Sequence, residues 1–390
     1  MLRIAPGIAA DQIKEGFGID WGDFALIGAA YYISYTPLQL LVGPIMDRYS
    51  PRPVLVCASW MVAGASLVSS FCHSFWVFLL CRFVLGIGSA FAWVGLLYMV
   101  GVWFPKRMMG KLIGLSNACG VLGGILGSGP FASLVEWIKW RETFLLFGGI
   151  GVVLALCIMW ILQEDQAQGH ASQGKETGPG EKESIGQHLK EVLRRPQTWI
   201  IGGVSLSMYL CISVLPELWA VSFLEKVHGF SVQKAAYINT LFYLGLMVAS
   251  PCVGWLSDRI SARQPILYAG TLCTVLCVSA FVFLPCRSAM ASLLLFGLGM
   301  ACSTQALTFS AAVEANDANK QGTALAANNF ITMLGGIFAP LLIGLLAQNA
   351  QTTFDYRVSF AILPLFSILG TLLAMYMKET YGSTLGKTRT

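Results

Sequence analysis

The stretch Gly43-Pro44-Ile45-Met46-Asp47-Arg48-Tyr49-Ser50-Pro51-Arg52 is a short charged turn between two apolar runs, each long enough to cross a bilayer. Its chemistry recurs 211 residues later in Gly254-Trp255-Leu256-Ser257-Asp258-Arg259-Ile260-Ser261-Ala262-Arg263. A charged turn placed alike in two halves of one chain marks an internal repeat. Outward from these turns the chain is apolar almost throughout. Of its 390 residues 56% are hydrophobic and only 12% charged, whereas soluble domains carry about a quarter charged residues. Apolar runs of about 20 residues match about 30 Å of hydrocarbon, so the spans are helices whose backbone hydrogen bonds close internally. A barrel would show short alternating strands instead.

Complete spans fall at 24–46, 53–72, 75–100, 112–135, 143–162, 198–223, 234–256, 264–285, 289–313, 323–347 and 358–377, eleven in all. The halves register at a nearly constant offset, with Gly16-Phe17 against Gly229-Phe230, Gly110 against Gly322, Gly124 against Gly336 and Pro6 against Pro216. On that register the helix partnering the span near Thr198 would start roughly fifteen residues before Met1. The sequence therefore predicts an all-α polytopic membrane protein of two six-helix bundles, its first helix represented only by the outer half. A natural eleven-helix protein is the alternative. Residues 1–162 form the first bundle, 163–196 a linker, 197–378 the second bundle and 379–390 a tail. Ile185, Leu189, Val192 and Leu193, interleaved with charges, predict a short amphipathic helix on the inner membrane face at the end of the linker.

The net charge of +5 reflects topology, because the basic residues cluster in particular loops. Sixteen Lys and Arg, among them Arg48, Arg52, Arg259, Arg263 and Lys320, lie on one side, and seven, among them Lys14, Lys139 and Arg357, on the other. The richer side, with the two Asp-Arg turns, the linker and the C-terminus, is expected in the cytoplasm, and the inner membrane of a bacterium is the expected location.

The turns have the pattern G-x-x-x-D-R-x-x-x-R. It resembles the signature loop of the major facilitator superfamily, and Arg82-Phe83-Val84-Leu85-Gly86-Ile87-Gly88 resembles that family's R-x-x-x-G-x-G motif in the fourth helix. The resemblance implies alternating access between two bundles, with the turns clamping them when the protein is open outward. Asp47, Arg48, Arg52, Asp258, Arg259 and Arg263 are then the conformational latch; membrane anchoring is the plainer role for the same residues. By the same resemblance helices one, four, seven and ten line a central cavity.

An arginine or glutamate at membrane depth is costly and marks function by default. Arg3, Arg82 and Glu217 each lie roughly 9 to 12 Å below the outer surface, counted at about 1.5 Å per residue. Two cations and one anion suit a substrate with a carboxylate or phosphate, Glu217 receiving an amine or a coupling proton; a structural Glu217 to arginine pair is the alternative. Other polar and aromatic groups within spans complete the expected substrate site: Tyr31 and Tyr35, Trp93, Asn117, Tyr209, Trp219, Tyr243, Gln305 and Asn329. Tyr31, Tyr35 and Gln39 share one face of the second helix.

Arg3 and the Ser50-Pro51-Arg52 turn are similar to the organophosphate antiporter branch, but the seventh helix lacks its arginine. Phe223 to Asn239, together with Arg82 to Gly88, looks rather like transporters of the lysosomal dipeptide type. The eleven cysteines form no C-x-x-C, and the four histidines have no partner at i, i+4. With no nucleotide loop, paired catalytic carboxylates or nucleophile motif, an enzyme, a metal and a cofactor are not expected. The reading is a monomeric secondary transporter moving a small anionic or zwitterionic metabolite, an amino acid or short peptide favoured, by proton symport. Its partners are that substrate, a proton and the lipid bilayer, with no nucleic acid. Organic anion or phosphate-ester exchange, drug efflux and a non-transporting membrane sensor are the alternatives.

Overall fold

A computed structural model describes residues 2–48, 51–103, 119–162, 185–317, 320–348, 350 and 352–381. The first half comprises α1 (Ala5–Ile8), α2 (Ala10–Phe17), α3 (Trp21–Arg48), α4 (Pro51–Phe71), α5 (Phe75–Trp103) and α6 (Gly129–Ile161). After α7 (Ile185–Arg194) come α8 (Pro196–Val214), α9 (Ala220–His228), α10 (Val232–Arg259), α11 (Gln264–Phe283) and α12 (Ser288–Cys302). The chain then runs through α13 (Leu307–Glu314), α14 (Gln321–Ala347), α15 (Thr353–Ser359) and α16 (Ile362–Tyr376). A π-helical turn, Leu215–Trp219, joins α8 to α9.

Among the described residues there is no strand, and ten helices are long and apolar enough to cross a membrane. The sequence predicts eleven spans, and the difference lies in the fifth and sixth. Both contribute to the single run α6, which breaks at Lys139 (φ 58°, ψ 167°), and residues 104–118 fall outside the described set.

The repeat is visible in the backbone. Gly18 (φ 65°) ends α2 and Gly229 (φ 68°) ends α9, each in the left-handed conformation that favours glycine at a helix C-terminus. Asp20 then accepts the Asp23 N–H (2.8 Å) before α3, as Ser231 accepts the Lys234 N–H (3.4 Å) before α10. Helices α3 and α10 are both 28 residues long, at the same 211-residue offset as the Asp-Arg turns. The structural partner of Gly229 is thus Gly18, two residues beyond the Gly16 expected from sequence.

Among the described residues the bundles meet along two long seams, α3 against α14 and α6 against α10, and α1 packs on the π turn between them. For orientation, the end carrying α7 and Asp258 is the linker end, and the end carrying Trp21 is the far end. At the far end Trp219, fully buried, sits 5.1 Å from the Trp21 ring and 5.7 Å from Phe24, and Lys226 reaches Asp11 at 3.8 Å. Tyr32 lies flat on Gly336, where a Cβ would come within 2.6 Å of the ring. Below it Thr36 donates to the Met333 carbonyl (3.4 Å), and Asn329 to the Gln39 side-chain carbonyl (2.9 Å). Gln39 is nine residues, ~13 Å, short of the linker end of α3.

The residues of the expected amphipathic helix fall in α7, which docks its apolar side on the second bundle. Leu189, Val192 and Leu193 pack on Ala324 and Ala327 of α14, Lys320 pairs with Glu191, and Arg195 holds Asp317 at 2.7 Å.

Candidate functional site

The site begins with two prolines. Pro6 has no N–H for the Leu2 carbonyl four residues earlier, and the Gly7 N–H goes to Ile4 rather than Arg3. Two carbonyls at the chain's first turn are thus released. Arg82, rising from α5 and 1% exposed, donates to both: Nη1 to Leu2 at 2.8 Å and Nη2 to Arg3 at 3.3 Å. Its Nε reaches the Ile27 carbonyl of α3 at 3.3 Å, and its guanidinium lies 5.3 Å above the Tyr31 ring. Arg82 therefore ties the segment leading into α1 to α3 and α5 through main-chain oxygens, a use that needs the planar fork of arginine.

Pro216 does the equivalent in the second half. Without its N–H the helical ladder of the seventh span widens into the π turn, and Glu217 is carried on that turn. The Glu217 carboxylate is 3% exposed and faces the first bundle. One oxygen lies 2.5 Å from Arg3 Nη2, and the other accepts the Tyr32 hydroxyl. Tyr32 and Tyr209 hydroxyls are 2.8 Å apart, and Arg3 Nη1 donates to Tyr209 at 3.4 Å. Arg3 keeps 36% exposure, so the ion pair joins a buried anion to a cation still open to its surroundings. Arg3, Tyr32, Arg82, Ser213, Glu217 and Pro340 line a recess of about 10 Å³, room for roughly one water molecule.

The three charges that sequence places at one depth are therefore brought together. Arg82 and Glu217 both point into the protein, not toward lipid.

A sequence model of the Major Facilitator Superfamily matches residues 2–340. The chain belongs to the Major Facilitator Superfamily. Its sequence is 25% identical over 369 residues to a hexuronate transporter of Bacillus subtilis, covering 90% of this chain and 85% of that protein. It is 24% identical over 303 residues to a probable sulfoacetate transporter, SauU, of Cupriavidus necator, covering 72% and 68%. In fold it is similar to the inward-facing, occupied crystal structure of a bacterial homolog of the human lysosomal transporter Spinster. There the TM-score is 0.77 at 15% identity, covering 96% of this chain and 92% of that one. The relatives are transporters, and this superfamily member is a multi-pass secondary transporter.

In this transporter the remaining expected substrate residues divide. Tyr35 stacks on Tyr31 (5.4 Å), forming with it and Tyr32 the wall beside the charges. Tyr243 sits behind the π turn, donating to the Pro216 carbonyl at 3.3 Å, and Trp219 closes the turn with its ring against Phe24. Asn329 pairs with Gln39 and Gln305 with Ser205 (3.0 Å), both toward the linker end of the charges. Trp93 is 39% exposed and joins none of these contacts, and Asn117 lies outside the described residues. Sequence reasoning missed Tyr32, the residue that touches Glu217. The spacing Ala25, Gly28, Tyr32, Thr36 and Gln39 marks the face of α3 that meets α14, and it was the available signal.

Of the expected latch, the Asp47 and Arg48 side chains lie outside the described residues, and Arg52 donates to the Met159 carbonyl at 3.2 Å. Arg259 stacks on Trp255 (5.0 Å). Arg263 holds Asp258 at 2.8 Å and Glu314 at 2.9 Å, and its backbone N–H donates at 2.9 Å to Glu379, just beyond α16; none of these partners lies in the first half of the chain. Burial opposes its charge, but the hydrogen bonds it donates to Glu314 and Asp258 raise the Arg263 pKa above its ordinary range.

Proposed function

We propose that this transporter carries a small organic anion, binding its carboxylate or sulfonate on Arg3 in exchange for Glu217, with one proton accompanying each anion. The observation that carries the reading is the Arg3–Glu217 pair, a partly exposed cation 2.5 Å from a buried carboxylate. An anion arriving at Arg3 displaces Glu217, and a buried carboxylate stripped of its partner costs several kcal/mol. Taking up a proton removes that cost, so anion and proton enter together. The groups facing Glu217 are Arg3 and Tyr32, with Arg82 across the recess and Tyr209 one hydrogen bond further. The hexuronate and sulfoacetate relatives carry anions by name, which supports the class.

The Lys and Arg distribution supports a cytoplasmic linker end, an inner-membrane location and a periplasmic far end. On that orientation the seams that close from Lys226–Asp11 to Gln39–Asn329 describe a state shut to the outside. One chain with both halves of the site works as a monomer. Residues 1–162, 163–196 and 197–378 then act as first bundle, linker and second bundle.

A second reading is favoured by the pairing itself. A zwitterion such as an amino acid or short peptide could insert between Arg3 and Glu217, matching both charges with no proton required.

Uptake into proteoliposomes separates the two. The anion reading expects a hexuronate or sulfoacetate to accumulate when the outside is more acid than the lumen, and Arg3→Gln to weaken binding by about 100-fold, a charged hydrogen bond of ~3 kcal/mol. The zwitterion reading expects dipeptide uptake that persists without the gradient. Wild-type rates in Arg3→Gln would overturn both.

A further inference from the structure

Asn239 is a polar residue within the apolar run of α10, and the structure places it against the turn that carries Glu217. In the π turn the Ala220 N–H goes to Leu215 instead of Pro216. The Pro216 carbonyl accepts from Asn239 Nδ2 at 3.0 Å and from the Tyr243 hydroxyl at 3.3 Å. Asn239 Nδ2 also donates to Ser128 Oγ at 3.1 Å, and Ser128 in turn donates to the Ala236 carbonyl at 2.9 Å. Beside it the Gly129 N–H donates to Thr240 Oγ1 at 2.9 Å.

Ser128 and Gly129 belong to the first bundle, at the bend where the helical residues 119–126 give way to α6. Pro216, Asn239 and Thr240 belong to the second. The amide orientation follows from chemistry, because a carbonyl oxygen only accepts and the nitrogen must face it. Both amide hydrogens are then used, one within the second bundle and one across the seam. Asn239 and Ser128 are both fully buried, and Asn239 Oδ1 has no partner. A leucine of similar volume would avoid that unsatisfied oxygen, so simple packing does not account for an asparagine here.

We propose that Asn239 is a positioning residue that couples the Glu217 turn to the α6–α10 seam, so that a shift of the turn loosens the closure at the far end. The proposal rests on the reading of Glu217 as the group that changes state during transport. When Glu217 leaves Arg3, the π turn moves, the Pro216 carbonyl draws Asn239 with it, and the Ser128 bond across the seam is lost.

Hydrogen exchange followed by mass spectrometry on the purified chain, at one pH, tests this without a substrate. Glu217→Gln serves as the stimulus, and the readout is exchange in residues 129–138 and 232–243. We expect Glu217→Gln to raise exchange there by about tenfold in the wild-type background, within the usual range for coupled sites. In the Asn239→Leu background the same substitution should change it by less than about twofold, as additivity is lost only between coupled groups. Ser128→Ala, which removes one oxygen and only the cross-seam arm, should decouple the two in the same way and carries the test if Asn239→Leu does not fold. Both variants should lower the maximal transport rate with little change in KM. An equal response to Glu217→Gln in all three backgrounds overturns the coupling alone. No response in the wild-type background overturns the Glu217 reading and the coupling with it.

Discussion

Adding one methyl group at Gly336 should hold the far end open. The Cβ of an alanine there would stand 2.6 Å from two carbons of the Tyr32 ring and 2.7 Å from a third, against a comfortable carbon–carbon contact of about 3.5 Å. Tyr32 cannot simply swing aside, because its hydroxyl is bonded to both Glu217 and Tyr209. Relief requires α3 and α14 to part or Tyr32 to abandon the carboxylate, and overpacking of this kind costs about 1–3 kcal/mol. The gain in helix propensity from Gly to Ala, about 1 kcal/mol, applies equally whether the seam is open or closed. At 1.4 kcal/mol per factor of ten, Gly336→Ala should therefore shift the equilibrium between closed and open far ends by about 5- to 150-fold. Hydrogen exchange in the first half of α3, with uptake by proteoliposomes, reads this out. Gly149→Ala is the control, since no atom lies within 4 Å of its added Cβ. Unaltered exchange and transport in Gly336→Ala would refute the inference that the α3–α14 seam opens during the cycle.

Other consequences follow from the same contacts. Arg82→Lys keeps the charge but cannot reach the Leu2, Arg3 and Ile27 carbonyls together. Each buried group left unpaired costs about 1–3 kcal/mol, so thermal inactivation in detergent should come markedly earlier than in the wild type; an unchanged midpoint contradicts a tying role. Tyr32→Phe should lower transport while leaving the fold intact, because it removes a hydroxyl bonded to Glu217; wild-type uptake would place Tyr32 outside the mechanism. Burial alone would raise the Glu379 pKa, but backbone N–H groups of Tyr381, Arg263, Gln264 and Thr380 hold it below the ordinary carboxylate value. Such a group stabilises the folded state above its unfolded pKa, and that contribution is lost as pH falls through the depressed folded value. Docking of residues 378–381 should therefore loosen only below the usual carboxylate range, about pH 4.5, detected as faster proteolysis of the tail. Glu379→Gln should show fast proteolysis already at neutral pH.

Much of this was legible before any coordinates. Apolar length, the 211-residue spacing of the Asp-Arg turns and the two X-Pro positions are local properties, and each survives folding unchanged. The glycine caps refine the register by two residues, from Gly16 to Gly18, because a left-handed turn is a backbone conformation and not a letter match. That Arg82 and Glu217 face inward was likewise readable, since a charge within an apolar span must face the protein interior whatever its partner.

Partner choice is what the tertiary structure decided. Sequence makes Arg82 and Arg3 equal candidates for an anion, yet Pro6 releases carbonyls that engage Arg82, while Arg3 is left to meet Glu217. Sequence offers three tyrosines on α3, and the closeness of Gly336 in a helix some 300 residues away determines that Tyr32 faces the carboxylate. Spans, repeat and the inward facing of buried charges depend on each segment's own contact with lipid and water, so composition along the chain was enough. Which charged and hydroxyl groups meet depends on how two bundles pack, and that is set jointly by residues far apart in the chain.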